Sequence, residues 1–245
     1  MKLNTIVRFL NKELKIRSIK DASKNGLQVR ASNEVTKVGL AVDACMEVFE
    51  KAKKLGCNLI VIHHGIFWKK YKEDKNVIKK KVKFLKENKI SVYAAHLPLD
   101  KNRIYGNNVG LLKMLNVKPK ELFAEVGYIG YLKKPRDIDS ISKELGKKLK
   151  TRCKVWKFGK TSIKKIGVVS GSGRGDIPEA VRRRVDLYIT GEVSHSSYHR
   201  AKDAKLSMII GGHYKTEING VMSVGELLER KFKIKTIFLS SETGM

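Results

Sequence analysis

The stretch Asn58–Trp68 reads N-L-I-V-I-H-H-G-I-F-W, and its first half decides the fold. Leu59, Ile60, Val61 and Ile62 form an unbroken apolar run, the pattern of a strand buried on both faces. That strand delivers His63 and His64 to its carboxyl end, just before Gly65. Neighbouring side chains on a regular strand point to opposite faces. Two adjacent imidazoles therefore reach one site only where the strand breaks into a loop, and Gly65 permits that break. The alternative is a hydrogen-bonded core histidine at 63 and a loop residue at 64.

Outward from this strand, helical and extended patterns alternate. Asn4–Leu14 carries Ile6, Val7, Leu10 and Leu14 at helical spacing, and Asn25-Gly26-Leu27-Gln28-Val29 is a turn leading into an extended segment. Lys37–Val42 reads as a buried strand. Met46–Leu55 is a helix with Val48, Phe49, Ala52 and Leu55 on one side and Gly56 as its carboxyl cap. Beyond the histidines come a lysine-rich amphipathic helix at Asn76–Asn88, a buried strand at Ile90–Ala95 and a short helix at Val109–Leu115. This order predicts an α/β protein with a mostly parallel sheet covered on both faces.

The second half repeats the first. Lys37-Val38-Gly39-Leu40-Ala41-Val42 recurs as Lys165-Ile166-Gly167-Val168-Val169-Ser170, 128 positions later, and the same offset carries Leu59–Ile62 onto Leu187–Thr190. The offset then shrinks to 117, pairing Ala95-His96-Leu97-Pro98-Leu99-Asp100 with Gly212-His213-Tyr214-Lys215-Thr216-Glu217. Two related α/β lobes from an internal duplication are expected, 1–121 and 122–245, with a site between them where their loops converge.

The chemistry gathers at strand ends. His96 with Asp100 and His213 with Glu217 share the pattern His-x-x-x-acid, and the six histidines fall in short tracts at or after the carboxyl ends of expected strands. Imidazoles mixed with carboxylates are the donor set of zinc, iron, manganese, cobalt or nickel, and the lack of a thiolate argues against structural zinc. His63, His64, Asp100, His213 and Glu217 are five candidate ligands, too many for one open catalytic ion. They suit two divalent ions bridged by a carboxylate, with water completing the shells.

Composition sets the outer bounds. The 245-residue chain carries 52 Lys plus Arg against 24 Asp plus Glu, a net charge of +28. Such a field attracts anionic or nucleotide substrates and nucleic acid in a salt-dependent way, although the lysines are spread along the chain and a lysine-rich composition also accompanies adaptation to heat. No apolar run is long enough to span a membrane and the first 20 residues lack a signal-peptide pattern, so a cytoplasmic protein without a membrane partner is expected. Cys45, Cys57 and Cys153 read as reduced packing residues.

The tracts Asn25–Val29, Ile62–Trp68, Ala95–Asp100 with Asn107-Asn108, Thr190-Gly191-Glu192 with His195, and Gly212–Glu217 together resemble the Nif-three-like family (Ngg-one-interacting factor three), whose members often carry the label GTP cyclohydrolase I type 2 homologue. The resemblance runs through nearly the whole chain. It implies that His63, His64, Asp100, His213 and Glu217 hold a dinuclear metal centre with His96, Glu192 and His195 close by. It also implies a two-lobed α/β fold and a ring-shaped homohexamer with the metals facing an interior cavity. Gly65 stands where a proline is common in the family. The domain that long members insert between the halves is absent here, only Leu122–Thr161 separating the two repeats.

Two functions of different class follow. The first is a two-metal hydrolase on a nucleotide or phosphorylated substrate, a GTP cyclohydrolase in its most specific form, with Glu192 or His96 moving protons. The second is a single-stranded DNA- or RNA-binding ring with non-catalytic metals. Stacking platforms would favour the second, but the aromatic residues form no recognisable binding motif in the sequence. Ser170–Asp176 (S-G-S-G-R-G-D) is a tight connection or a phosphate cradle without the P-loop lysine. His195 and His199 share one face of an expected helix.

Overall fold

A computed structural model describes residues 1–69 and 74–244 of the chain. It divides into two compact units, Met1–Leu99 with Gly220–Ser241, and Asp100–Asn219 with the last few residues. The carboxyl-terminal segment Gly220–Ser241 thus belongs with the first unit.

In chain order the first unit holds α1 (Leu3–Glu13), β1 (Gly26–Val29), β2 (Lys37–Asp43), α2 (Met46–Lys54), β3 (Leu59–His64), α3 (Lys75–Glu87) and β4 (Ser91–Ala94). The chain continues through α4 (Leu97–Asp100), α5 (Asn107–Met114), β5 (Pro119–Phe123), β6 (Gly127–Asp137), α6 (Ile138–Leu149), β7 (Lys154–Trp156) and β8 (Ser162–Val169). After a 3₁₀ turn at Gly173–Asp176 come α7 (Ile177–Arg182), β9 (Leu187–Thr190), α8 (His195–Asp203), β10 (Ser207–Ile210), α9 (His213–Phe232) and β11 (Lys235–Phe238).

The first unit's sheet runs β1-β4-β3-β2-β11, parallel from β4 to β11 with β1 antiparallel at one edge. Its inner strands are buried because nearly every side chain is apolar: Val38, Leu40, Leu59, Ile60, Val61 and Ile62 are at most 1% exposed. Helix α2 lays Val48, Phe49 and Ala52 into the same core, as its periodicity dictates.

The second unit's sheet runs β5-β6-β8-β9-β10-β7. Strands β8, β9 and β10 pair in parallel, while the pairings β5–β6, β6–β8 and β10–β7 are antiparallel, so the expectation of a mostly parallel arrangement fails at three of its five pairings. Asp137 caps α6 by accepting from the amides of Asp139 and Ser140, and Ile138, Ile141, Leu145 and Leu149 then bury one helical face.

The central strands of the two sheets keep one register. Val38 opposes Leu59 in the first, and Ile166 opposes Leu187 in the second, each 128 positions on. The flanks differ, since β2 is bordered by parallel β11 and β8 by antiparallel β6. Among the described residues no helix is long and apolar enough to cross a membrane. The three cysteines form no disulfide.

Candidate metal centre

In the first unit, β3 remains a strand through His64, yet the His63 and His64 rings lie 4.7 Å apart, centre to centre. His96, just past β4, brings its ring to 5.1 Å from His63 and 5.5 Å from His64. One nitrogen from each of the three lies within 4.8 Å of the others, close enough to share an ion. His63 is fully buried, whereas the side chains of His64 and His96 are each 19% exposed.

Each imidazole is fixed through Nδ1. His63 donates to the carbonyl of Ala95 at 2.9 Å, His64 to Asp43 Oδ1 at 2.8 Å, and His96 to Asp21 Oδ1 at 3.0 Å. A carbonyl or carboxylate at Nδ1 fixes the tautomer and leaves Nε2 as the lone-pair donor, which is how metal-binding histidines are commonly oriented. Asp21 is itself tightly held. Its carboxylate also accepts from Asn25 Nδ2, the amide of Ser23 and the amide of Leu97. Burial alone would raise its pKa, but these hydrogen bonds and the His96 ring hold it well below the usual carboxylate range.

Around the histidines, the Trp68 indole donates to the Gly65 carbonyl at 2.7 Å and sets its ring 5.0 Å from that of His96. Gln28 accepts from the amide of Ile66 at 2.7 Å and donates to the carbonyl of Lys24. A Cβ at position 65 would stand 2.2 Å from Gln28 Nε2, so glycine there makes room for that amide.

In the second unit, Asp100 closes α4 and is 5% exposed. Its Oδ1 accepts from Asn107 Nδ2 at 2.9 Å and from the Ser170 hydroxyl at 3.1 Å. Buried Asn108 donates to the carbonyls of Asp100 and Val126 and accepts from the amide of Ser170. His213 begins α9 and Glu217 follows one turn later, 3.2 Å from its Nε2, while Glu192 approaches Nδ1 at 3.2 Å. Burial lowers the His213 pKa, but the two carboxylates outweigh it and raise the pKa to about 9. The two carboxylates thus favour the protonated form of His213.

Gly171, at φ +58°, lets its backbone pass against Glu217, and its carbonyl accepts from the amides of Gly191 and Glu192. The Ser170–Asp176 connection thereby supports the carboxylates. Arg174 lies 3.6 Å from Glu192. His195 stands exposed at the start of α8, with its ring 5.9 Å from that of His199.

The sequence marks the histidines and acids at the strand ends and includes Asn108 and Ser170 in its tracts, but it leaves Asp21 and Asp43 unmarked and shows the orienting role of none of the four. Asp21 and Asp43 emerge only from the folded chain. Asp21 heads an Asx turn onto Ser23, and Asp43 is the register partner of His64. A donor set of imidazoles and carboxylates could hold a divalent transition metal.

Comparison with known proteins places these features in a family context. A Pyrococcus abyssi protein named GTP cyclohydrolase 1 type 2 homolog is 41% identical over 251 residues, covering 100% of both chains. An Archaeoglobus fulgidus protein of the same name is 38% identical over 250 residues, again covering 100% of both. Among solved structures, a Thermus thermophilus protein superposes with a TM-score of 0.93 at 33% identity over 100% of both chains. Reduced HcgD from Methanocaldococcus jannaschii gives 0.88 at 28% identity over 98% of both. Residues 1–244 match the family described as Duf34/NIF3 (NGG1p interacting factor 3), and the chain belongs to that family.

Proposed function

We propose that the chain is a divalent-metal-dependent hydrolase acting on a nucleotide or another phosphorylated small molecule. The observation that carries this reading is the backing of His63, His64 and His96 by an oxygen acceptor at Nδ1, within one group of donors. His63, His64, Asp100, His213 and Glu217 hold two ions, a number that matches the count of donors. The name shared by the archaeal relatives points to a nucleotide as the substrate class.

A metal held by these residues would supply Lewis acidity and a coordinated water of lowered pKa. Glu192, anchored through its amide to the Gly171 carbonyl, takes and returns the proton. His96, oriented by Asp21, is a second proton carrier. Arg174 and the general positive field gather the phosphates. The shared register of the central strands supports the descent of both lobes from one duplicated unit. The reading includes a homohexamer, for which light scattering should give six chains per particle.

The test is a turnover screen of the metal-loaded chain on nucleoside triphosphates and simple phosphoesters. Glu192→Gln should keep its metal and lose turnover about 100-fold or more. Equal turnover in Glu192→Gln, or none in the loaded wild type, would count against the assignment.

A further inference from the structure

The second unit carries an aromatic cluster that its sequence does not announce. Trp156 ends β7, Phe158 follows it, and Tyr198 and His199 stand on α8. Tyr198 meets Trp156 at 5.2 Å, Phe158 at 5.0 Å and His199 at 5.4 Å, edge to face in every case. Trp156 is 6% exposed and Tyr198 37%, so the cluster is rooted in the sheet and open at its outer ring. The Trp156 indole N–H is buried with no acceptor among the described residues.

Cations frame the rings. The Lys154 ammonium lies 5.8 Å from the Trp156 ring centre, and Arg152, Lys157 and Arg200 are exposed. Lys157 pairs with Asp139, but both partners are largely exposed and a phosphate can take the place of the carboxylate. Strand β7 is the edge of its sheet, and a concavity of about 390 Å³ lined by Arg152, Cys153, Lys154 and Val155 opens along it. Arg152 and Cys153 also line a second concavity of about 430 Å³, with Lys143 and Lys147.

We propose that this edge binds single-stranded nucleic acid, with bases against Tyr198, His199 and Phe158 and phosphates on Arg152, Lys154, Lys157 and Arg200. Exposed rings interleaved with cations are the two elements that such binding uses. A duplex keeps its bases stacked internally and gains only the cations. An added peptide strand would meet just three residues of β7 and leave the rings unused. The site is independent of any reaction at the metal centre.

The test uses the full-length chain and labelled 12-mers of oligothymidine and oligouridine, read by fluorescence anisotropy, with a duplex of equal length as comparison. Trp68→Phe isolates Trp156 as the emitting residue, and a bound single strand should quench it. Tyr198→Ala should weaken single-strand binding about 5- to 150-fold at unchanged net charge. Lys154→Gln should lower the slope of log affinity against log salt by about 0.7. Unchanged affinity in Tyr198→Ala, or a duplex bound as tightly, would overturn the proposal and leave only the general positive field. If Tyr198→Ala unfolds, an unaltered salt slope in Lys154→Gln overturns it equally. Quenching by polyglutamate but by neither oligonucleotide would assign the edge to an acidic protein partner instead.

Discussion

His64 Nδ1 lies 2.8 Å from Asp43 Oδ1, and the two residues face each other across the β2–β3 pairing. The sheet register itself thus orients a candidate metal ligand. Replacing Asp43 by alanine removes the acceptor that fixes the tautomer of His64. Metal affinity should fall about 10- to 100-fold while the fold persists. Competition with a chromophoric chelator measures this, and an unchanged affinity would separate Asp43 from the site.

Gly171 supports Glu217 by lacking a side chain. A Cβ there would stand 2.1 Å from Glu217 Oε1 and 3.0 Å from His213 Nε2, at a φ of +58°. Gly171→Ala should cost about 1–2 kcal/mol of stability from the backbone alone and should also displace the carboxylate, lowering bound metal. Gly175→Ala is the control, because nothing lies within 4 Å of its Cβ. Urea midpoints and metal content, taken together on both variants, check the pair of effects.

Asp176 gives the second unit a pH dependence. Burial, then the charges of Glu125 and Glu179, raise its pKa to about 6 from 3.8. A carboxyl whose pKa rises on folding costs stability when it ionises. The cost is absent below pH 3.8, grows across the window up to about 6 and is complete above it. Asp176→Asn should therefore stabilise the chain by about 1–2 kcal/mol at pH 7.5, less screening by solvent, and make no difference at pH 3.5. Urea midpoints with equal pH slopes in both proteins would refute this.

Asn108 is fully buried and links Asp100, Val126 and Ser170. Alanine there leaves a backbone donor and backbone acceptors without the amide that satisfied them. The expected loss is about 3 kcal/mol, as for a buried hydrogen-bond network. Denaturant unfolding reads it, and a loss below about 1 kcal/mol would show that the network reorganises freely.

Much of the fold was legible because its central strands are buried on both faces. Residues 38–42 and Leu59–Ile62 have no polar interruption, and these apolar runs alone mark them. Strands β5, β6 and β7 were not found, for a physical reason. From Tyr131 to Asp137, β6 is mostly exposed and includes Lys133, Lys134, Pro135 and Arg136, so nothing in its composition signals a strand. Antiparallel neighbours hold it in place, and those contacts are not local.

The site divides along the same line. Its histidines and acids stand at strand ends, where residue type and position suffice to mark them. The partners of those residues depend on register and on loop closure, as with Asp43 opposite His64 and Asp21 beneath His96. The aromatic cluster is likewise assembled by the β7–β10 pairing and by α8, from residues as far apart in sequence as Trp156 and Tyr198.

The most direct test of the central claim is the metal content of the purified chain by elemental analysis, beside a His64→Ala, Asp100→Ala double variant. Two transition-metal ions per chain, lost in the folded double variant, are predicted. A chain without metal even after reconstitution, or a variant that keeps its full complement, would contradict the metal centre and the hydrolase built on it.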